Sequence, residues 1–421
     1  MISFGTEVLD LVILEQYSLQ VAKTTSLESC LSTQGNASQC HIARIISSYT
    51  YHRHHTRLAV ISTQLLNVIA QESRMSLLSS FGEDAHSIRS GFLRRLALRS
   101  EDPQFKVVLI ELLTTCVAHQ PGLLELFLSG KAMQATSLLD ITQEMISVNK
   151  QFTHLCPGHL LLAAFNFVLA LWTSGRQRVT QQLSDNKAFW EAVVSPLTKM
   201  LGPMGTTSDT HPLKAKLYCN VLQLLAYQLY QRDSSLNEFH SALENVTQSQ
   251  WQEICTFLHK ELKAISNPPD ESTLPADKAM RYSSAVHLLD SYRMFISTMW
   301  LAESSLFKQE TRLSVMNQVL DTLSHTLSGE LTPVDQRLAS MLSSLYFELL
   351  TQWSSHFTDW ASSYHKLAQA LHASTNDGAD IHILPPTLVG ILASLQLICS
   401  QKLQAKSSID STSTSYNILF C

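Results

Sequence analysis

Glycine and proline are scarce in this chain of 421 residues, at 13 and 12, about half of ordinary usage. Without those turn formers a hairpin-rich all-β architecture has little to close its strands with, and a collagen or a Gly/Pro-rich disordered chain is excluded. Charge is sparse too. Only 15% of residues are charged, 30 basic against 35 acidic, giving a formal net charge of −5 with the two signs interspersed. No basic stripe is offered to a phosphate backbone, so direct nucleic-acid binding is not expected. The densest basic stretch is Arg94, Arg95 and Arg99, and helical spacing from Arg95 to Arg99 predicts one solvated ridge.

Closely spaced cysteines are missing as well. The eight stand at 30, 40, 116, 156, 219, 255, 399 and 421 with no CxxC, which gives no disulfide framework and points to a reducing compartment. Cys116 and Cys255 fall on apolar faces, where a free thiol behaves as a small hydrophobe. The opening residues lack a basic region and are interrupted by Glu7 and Asp10, so they do not read as a signal peptide. The sequons at Asn36 and Asn245 then count as chance matches. The longest near-continuous apolar run, Leu160 to Trp172, is broken by Asn166. It is too short for a hydrocarbon layer of ~30 Å, predicts a core helix, and leaves no transmembrane segment in the reading.

What is present is leucine and serine, 66 and 53 residues, arranged in helical stripes. Leu58, Ile61, Leu65, Val68 and Ile69 predict one buried face; Phe105, Val108, Leu109, Leu112, Leu113 and Cys116 predict another. Leu213, Leu217, Val221, Leu224, Leu225 and Leu229 repeat the pattern. So do Trp251, Ile254, Cys255, Leu258, Leu262 and Ile265, and Val334, Leu338, Met341, Leu342, Leu345 and Leu349. Pro103, Pro121, Pro157, Pro212 and Pro333 mark helix starts, where a missing N–H costs nothing. Asp102 and Thr332 are placed to cap two of them. Gly130, the stretch Gly202-Pro203-Met204-Gly205, Asn267 through Pro275, and Asn376-Asp377-Gly378 read as connectors. Pro196 predicts a break or kink.

Consecutive helices that are apolar on more than one side bury those faces by stacking in pairs. The expected architecture is therefore all-α, an α-solenoid of irregular HEAT/armadillo-like helix pairs running continuously over residues 1–404. A helical bundle is the plainer alternative. Residues 405–421, rich in serine and threonine, read as a disordered tail. Their abrupt end beside apolar helices suggests a piece of a longer protein.

Chemistry-bearing clusters are few. Cys40-His41 followed by Tyr51-His52-Arg53-His54-His55 holds metal-ligand types, and His52 and His55 could share a helical face. No second pair closes a tetrahedron, so a solvated or partner-facing segment is preferred. Asp84, His86 and Ser87 contain the residue types of a hydrolase triad, but adjacency in sequence is not triad geometry; Asp84 reads as the N-cap of the next helix. Nucleotide-binding, metalloprotease and hydrolase motifs are not found. The six tryptophans, at 172, 190, 251, 300, 353 and 360, read as core or groove residues. No catalytic residue, cofactor or metal is assigned.

Two segments carry more. Residues 84–129 hold Ile88, Arg89, Phe92, Arg95 and Leu96, followed by the word HQPGLLELFL; residues 170–201 hold ALW, a short basic turn, and KAFWEAVVSPL. In this order they resemble the nucleoporin-188 family, the large α-solenoid scaffold of the inner ring of the nuclear pore, most clearly over 84–201. The resemblance implies a structural, non-enzymatic pore constituent at the nuclear envelope that supports passage of protein and RNA. It also implies a linker partner of the nucleoporin-93 class, whose contact in that family lies toward the C-terminal end of a chain several times longer. Its residues are therefore not carried over to this sequence. Phe-Gly dipeptides, which barrier-forming pore proteins carry in numbers, occur at Phe4-Gly5 and Phe81-Gly82 and read as helix-flanking turns. The competing reading is an importin-like HEAT-repeat transport receptor or adaptor, which would bind the small GTPase Ran in a nucleotide-dependent way.

Overall fold

A computed structural model describes residues 42–50, 55–72, 76–128, 137–148, 158–199, 211–231, 275–301, 308–327 and 333–353, with single helical positions between 239 and 259. Among the described residues every regular element is helical and none is a strand. The chain divides into two compact units, Met1–Val179 and Thr180–Cys421. The expected tail at 405–421 lies outside the described residues.

The first unit contains α1 (Ile42–Tyr49), α2 (Thr56–Glu72), α3 (Leu77–Phe81), α4 (Ala85–Ala97), α5 (Pro103–His119), α6 (Pro121–Leu128), α7 (Leu138–Val148) and α8 (Gly158–Thr173). Helix α5 packs on α2 along one side and on α8 along another, forming an inner row of α2, α5 and α8. Their antecedents α1, α4 and α7 pack against them, with the short α3 and α6 filling the outer layer. That is the two-layer packing of helix pairs expected of an α-solenoid.

Sequence explains the inner row. Phe105, Val108, Leu109, Leu112, Leu113 and Cys116 of α5 are all buried, as the stripe predicts. Asp102 caps the helix, its side chain accepting from the Gln104 amide at 2.9 Å, and Pro103 takes the first position. In α8, Phe165, Phe167, Leu171 and Trp172 fill the core, so the apolar run is an interior helix. Phe81 is buried at the end of α3 and Gly82 follows at φ 55°, a left-handed turn that glycine adopts without strain; the Phe81-Gly82 pair is a helix-flanking turn.

Helix α9 (Gln177–Ser184) crosses the boundary between units. The second unit continues with α10 (Lys187–Lys199), α11 (His211–Gln231), α12 (Pro275–Leu301), α13 (Gln309–Leu327) and α14 (Pro333–Trp353). Helix α11 lies along α12, α12 along α14, and α13 along α14. Leu217, Val221, Leu224, Leu225 and Leu229 are buried, as are Leu338, Leu342, Leu345 and Leu349. Helix α10 runs through Pro196 without ending there. Only three residues follow the proline, so the lost amide forfeits one hydrogen bond in a last turn; of the break or kink expected there, the break does not occur.

Candidate interaction surface

Helices α1 and α2 carry the largest departure from the sequence reading. Leu58, Ile61, Leu65 and Val68, expected in the core, are exposed, and only Ile69 of that stripe is buried. The buried side of α2 is Ala59, Val60, Ser62, Thr63, Leu66, Ile69 and Ala70. This helix has two apolar sides, and it turns inward the one made of small residues. Ala59, Ser62, Thr63 and Ala70 let the helix backbone approach its neighbours, and Thr63 satisfies its hydroxyl internally on the Ala59 carbonyl at 2.8 Å. On α1 the exposed large residues are Ile42, Ile45 and Tyr49, whereas Ala43, Ile46 and Ser47 are buried. Together the seven side chains are between 36 and 55% exposed.

Both stripes face away from the helices that follow. Arg44 reaches Asp84 in the turn before α4, and the Thr50 carbonyl accepts from Arg95 of α4. Helix α2 offers its small-residue side to α1 and α5. A surface of this kind can recognise an apolar helix through desolvation; it has no group suited to bond-making chemistry.

The polar residues singled out from sequence are used structurally. Asp84 sits at the start of α4 but makes no side-chain cap there; its carboxylate pairs with Arg44 instead. His86 and Ser87 stand exposed on the first turn of α4, so the three do not assemble into a triad. His55 is exposed just before α2, while Cys40, His41, His52, Arg53 and His54 lie outside the described residues. Among the described residues no group of three or more His, Cys, Asp or Glu side chains could hold a metal ion. No described helix is long and apolar enough to cross a membrane.

The expected basic ridge is corrected at Arg95. That side chain is 3% exposed, joined to Glu101 through two hydrogen bonds of 2.8 and 2.6 Å. Arg94 and Arg99 are exposed, Arg99 beside Glu144 of α7 at 3.1 Å. Nothing in the local spacing signals this, because the partners lie beyond the helix end. In the second unit Arg293 of α12 donates through Nε to Glu348 of α14 at 3.0 Å, and Ser297 donates to the same carboxylate at 2.9 Å. Hydrogen bonding to Glu348 raises the Arg293 pKa. Trp190 packs edge-on against Phe239 at 4.7 Å and donates to the Ser184 carbonyl at 2.9 Å. Trp172, Trp190 and Trp251 are core residues.

Residues 1–131 match the family model described as Nucleoporin Nup188, N-terminal subdomain III. The chain resembles the nucleoporin-188 family. It is 33% identical over 215 residues to Nucleoporin NUP188 of Mus musculus, covering 48% of this chain and 12% of that one, and the Homo sapiens protein gives the same figures. Nucleoporin NUP188 of Xenopus tropicalis is 26% identical over 339 residues, 77% of this chain and 19% of its own length. The chain thus spans about an eighth of the mouse and human relatives. The family match takes in the first quoted segment, 84–129, together with α1 to α6, and ends before the second at 170–201.

Proposed function

We propose that the chain is a non-catalytic scaffold segment of the nuclear pore complex at the nuclear envelope, in its inner ring, supporting passage of protein and RNA. The observation that carries this reading is the match of residues 1–131 to a nucleoporin-188 subdomain. The helix-pair packing within each unit supports it, since stacked pairs present grooves that accept amphipathic helices from partners. Such partners are other scaffold nucleoporins, a nucleoporin-93-class linker among them, meeting the protein outside this segment. Of the hydrolase-type residues Asp84, His86 and Ser87, the carboxylate of Asp84 is taken up in a structural pair with Arg44.

Proximity labelling from the endogenously tagged protein tests the assignment. The expected result is labelling of inner-ring components together with a nuclear-rim signal. Labelling no richer in pore proteins than that of an untethered control overturns it, and Ran-dependent shuttling would favour a transport receptor.

A further inference from the structure

We propose that Arg89 of α4 receives a single oxyanion, the carboxylate or phosphate of a partner protein's side chain. Helix α4 buries two arginines, and only one of them is provided for. Arg95 bonds to Glu101 and to the Thr50 carbonyl and lies over the Phe105 ring. Arg89 is 8% exposed, yet among the described residues it has no ion-pair partner, and its Nε is shut off from solvent with no acceptor. Four carboxylates around α4 are already engaged: Asp84 by Arg44, Glu101 by Arg95, Glu125 of α6 by Arg176 and Glu144 of α7 by Arg99.

Arginine keeps its charge in proteins. A buried guanidinium whose donors go unmet therefore works against the fold, and a chain keeps such a group where an acceptor from outside completes it. The position is within reach of one. Helical spacing puts Arg95 and Arg89 on opposite flanks of the buried strip Ile88, Phe92 and Leu96. The Arg95 flank meets α1 and α5, whereas Arg89 borders His86 and Ser90, both exposed. The planar fork of a guanidinium matches the paired oxygens of a carboxylate or phosphate. One group is received and not a polyanion, since Arg94 lies on the far, exposed side of the helix and Arg99 is held by Glu144. A single such pair falls short of the cost of immobilising a free small ion at cellular concentrations. The oxyanion therefore arrives on a protein surface that buries further area around it.

Thermal unfolding of the 421-residue chain tests this with the natural sequence, Arg89→Met and Arg89→Lys, in sodium chloride, sodium glutarate and sodium phosphate of equal ionic strength. In chloride Arg89→Met should melt about 2–4 °C above the natural chain, because an unmet charge has been removed. Glutarate or phosphate at about 50 mM should raise the natural midpoint by about 1–2 °C relative to chloride and leave Arg89→Met unmoved. Arg89→Lys keeps the charge without the fork and should lose most of that response, so the proposal remains testable if the methionine variant folds poorly. A larger response to glutarate assigns an acidic side chain as the natural occupant, and a larger response to phosphate a phosphorylated one. Equal responses in the natural chain and both variants overturn the proposal. So does an Arg89→Met chain that melts below the natural one, because the guanidinium is then satisfied within the chain.

Discussion

The guanidinium carbon of Arg95 lies 3.6 Å from the centre of the Phe105 ring. Its nitrogens at the same time bond to Glu101 and to the carbonyl of Thr50. One side chain thereby joins the end of α1, the end of α4 and the first turn of α5. A buried ion pair adds little over an apolar substitute, but removing one partner leaves an unpaired charge in the interior, at a cost of about 3–5 kcal/mol. Arg95→Met should therefore lower unfolding free energy by about that amount, because Glu101 remains behind. Arg95→Met/Glu101→Leu should be milder than Arg95→Met alone. Urea unfolding followed by circular dichroism measures both, and a double variant worse than the sum of the two single ones would contradict the pairing.

Gln120 makes a second cross-element tie. Its amide oxygen accepts from the Leu77 N–H at 3.0 Å, and its amide nitrogen donates to the Ala70 carbonyl at 3.3 Å. The residue is buried, so it serves the end of α2 and the start of α3 where water does not reach. Gln120→Ala should destabilise by about 2 kcal/mol, since each buried group left unsatisfied costs ~1–3 kcal/mol. Hydrogen exchange should localise the damage, with the Leu77 amide losing protection first and the α8 amides unchanged.

The helical class and most of the core could be read from the sequence because the apolar stripes read on α5, α11 and α14 supply residues that the structure buries. At α5 the pattern is reinforced by Asp102 and Pro103, so both its start and its buried side were legible. Helix α2 was not legible, since it offers two apolar sides and periodicity alone ranks the larger residues first. The deciding factor was the small volume of Ala59, Ser62, Thr63 and Ala70, which matters only once a neighbouring helix is in place. Arg95 misled for a similar reason: Glu101 lies across a turn, and Thr50 lies 45 residues away in sequence. Asp84 was placed correctly at a helix start, but its carboxylate answers to Arg44.

Burial makes three thiols unreactive and gives the protein a pH dependence. Desolvation pushes the Cys116 and Cys255 thiols up to about 12 and the Cys219 thiol up to about 11. Tyr292, buried beside Cys255, is raised well above its usual value for the same reason. In the unfolded chain these thiols ionise near pH ~8.5. Above that pH the unfolded state releases protons that the folded state still holds, so stability is full below it and falls as pH rises. The thermal midpoint should decline from pH 8 to pH 10. Iodoacetamide at pH 8 should leave Cys116, Cys219 and Cys255 unmodified until denaturant is added; rapid native-state labelling of Cys255 would show that its surroundings are open.

The contrast between Leu224 and Leu65 gives the sharpest test of which faces are buried. Leu224, on α11, is 0% exposed, and its helix packs along α12. Leu65 has the same side chain at a helical position that sequence periodicity ranks equally, yet it is 46% exposed. Leu224→Asp puts an unpaired carboxylate in the interior and should cost more than ~4 kcal/mol. Leu65→Asp leaves the carboxylate in water and should stay within about 0.5 kcal/mol. Denaturation midpoints of the two variants should therefore differ widely. If Leu65→Asp proves as damaging as Leu224→Asp, α2 turns its larger side inward after all.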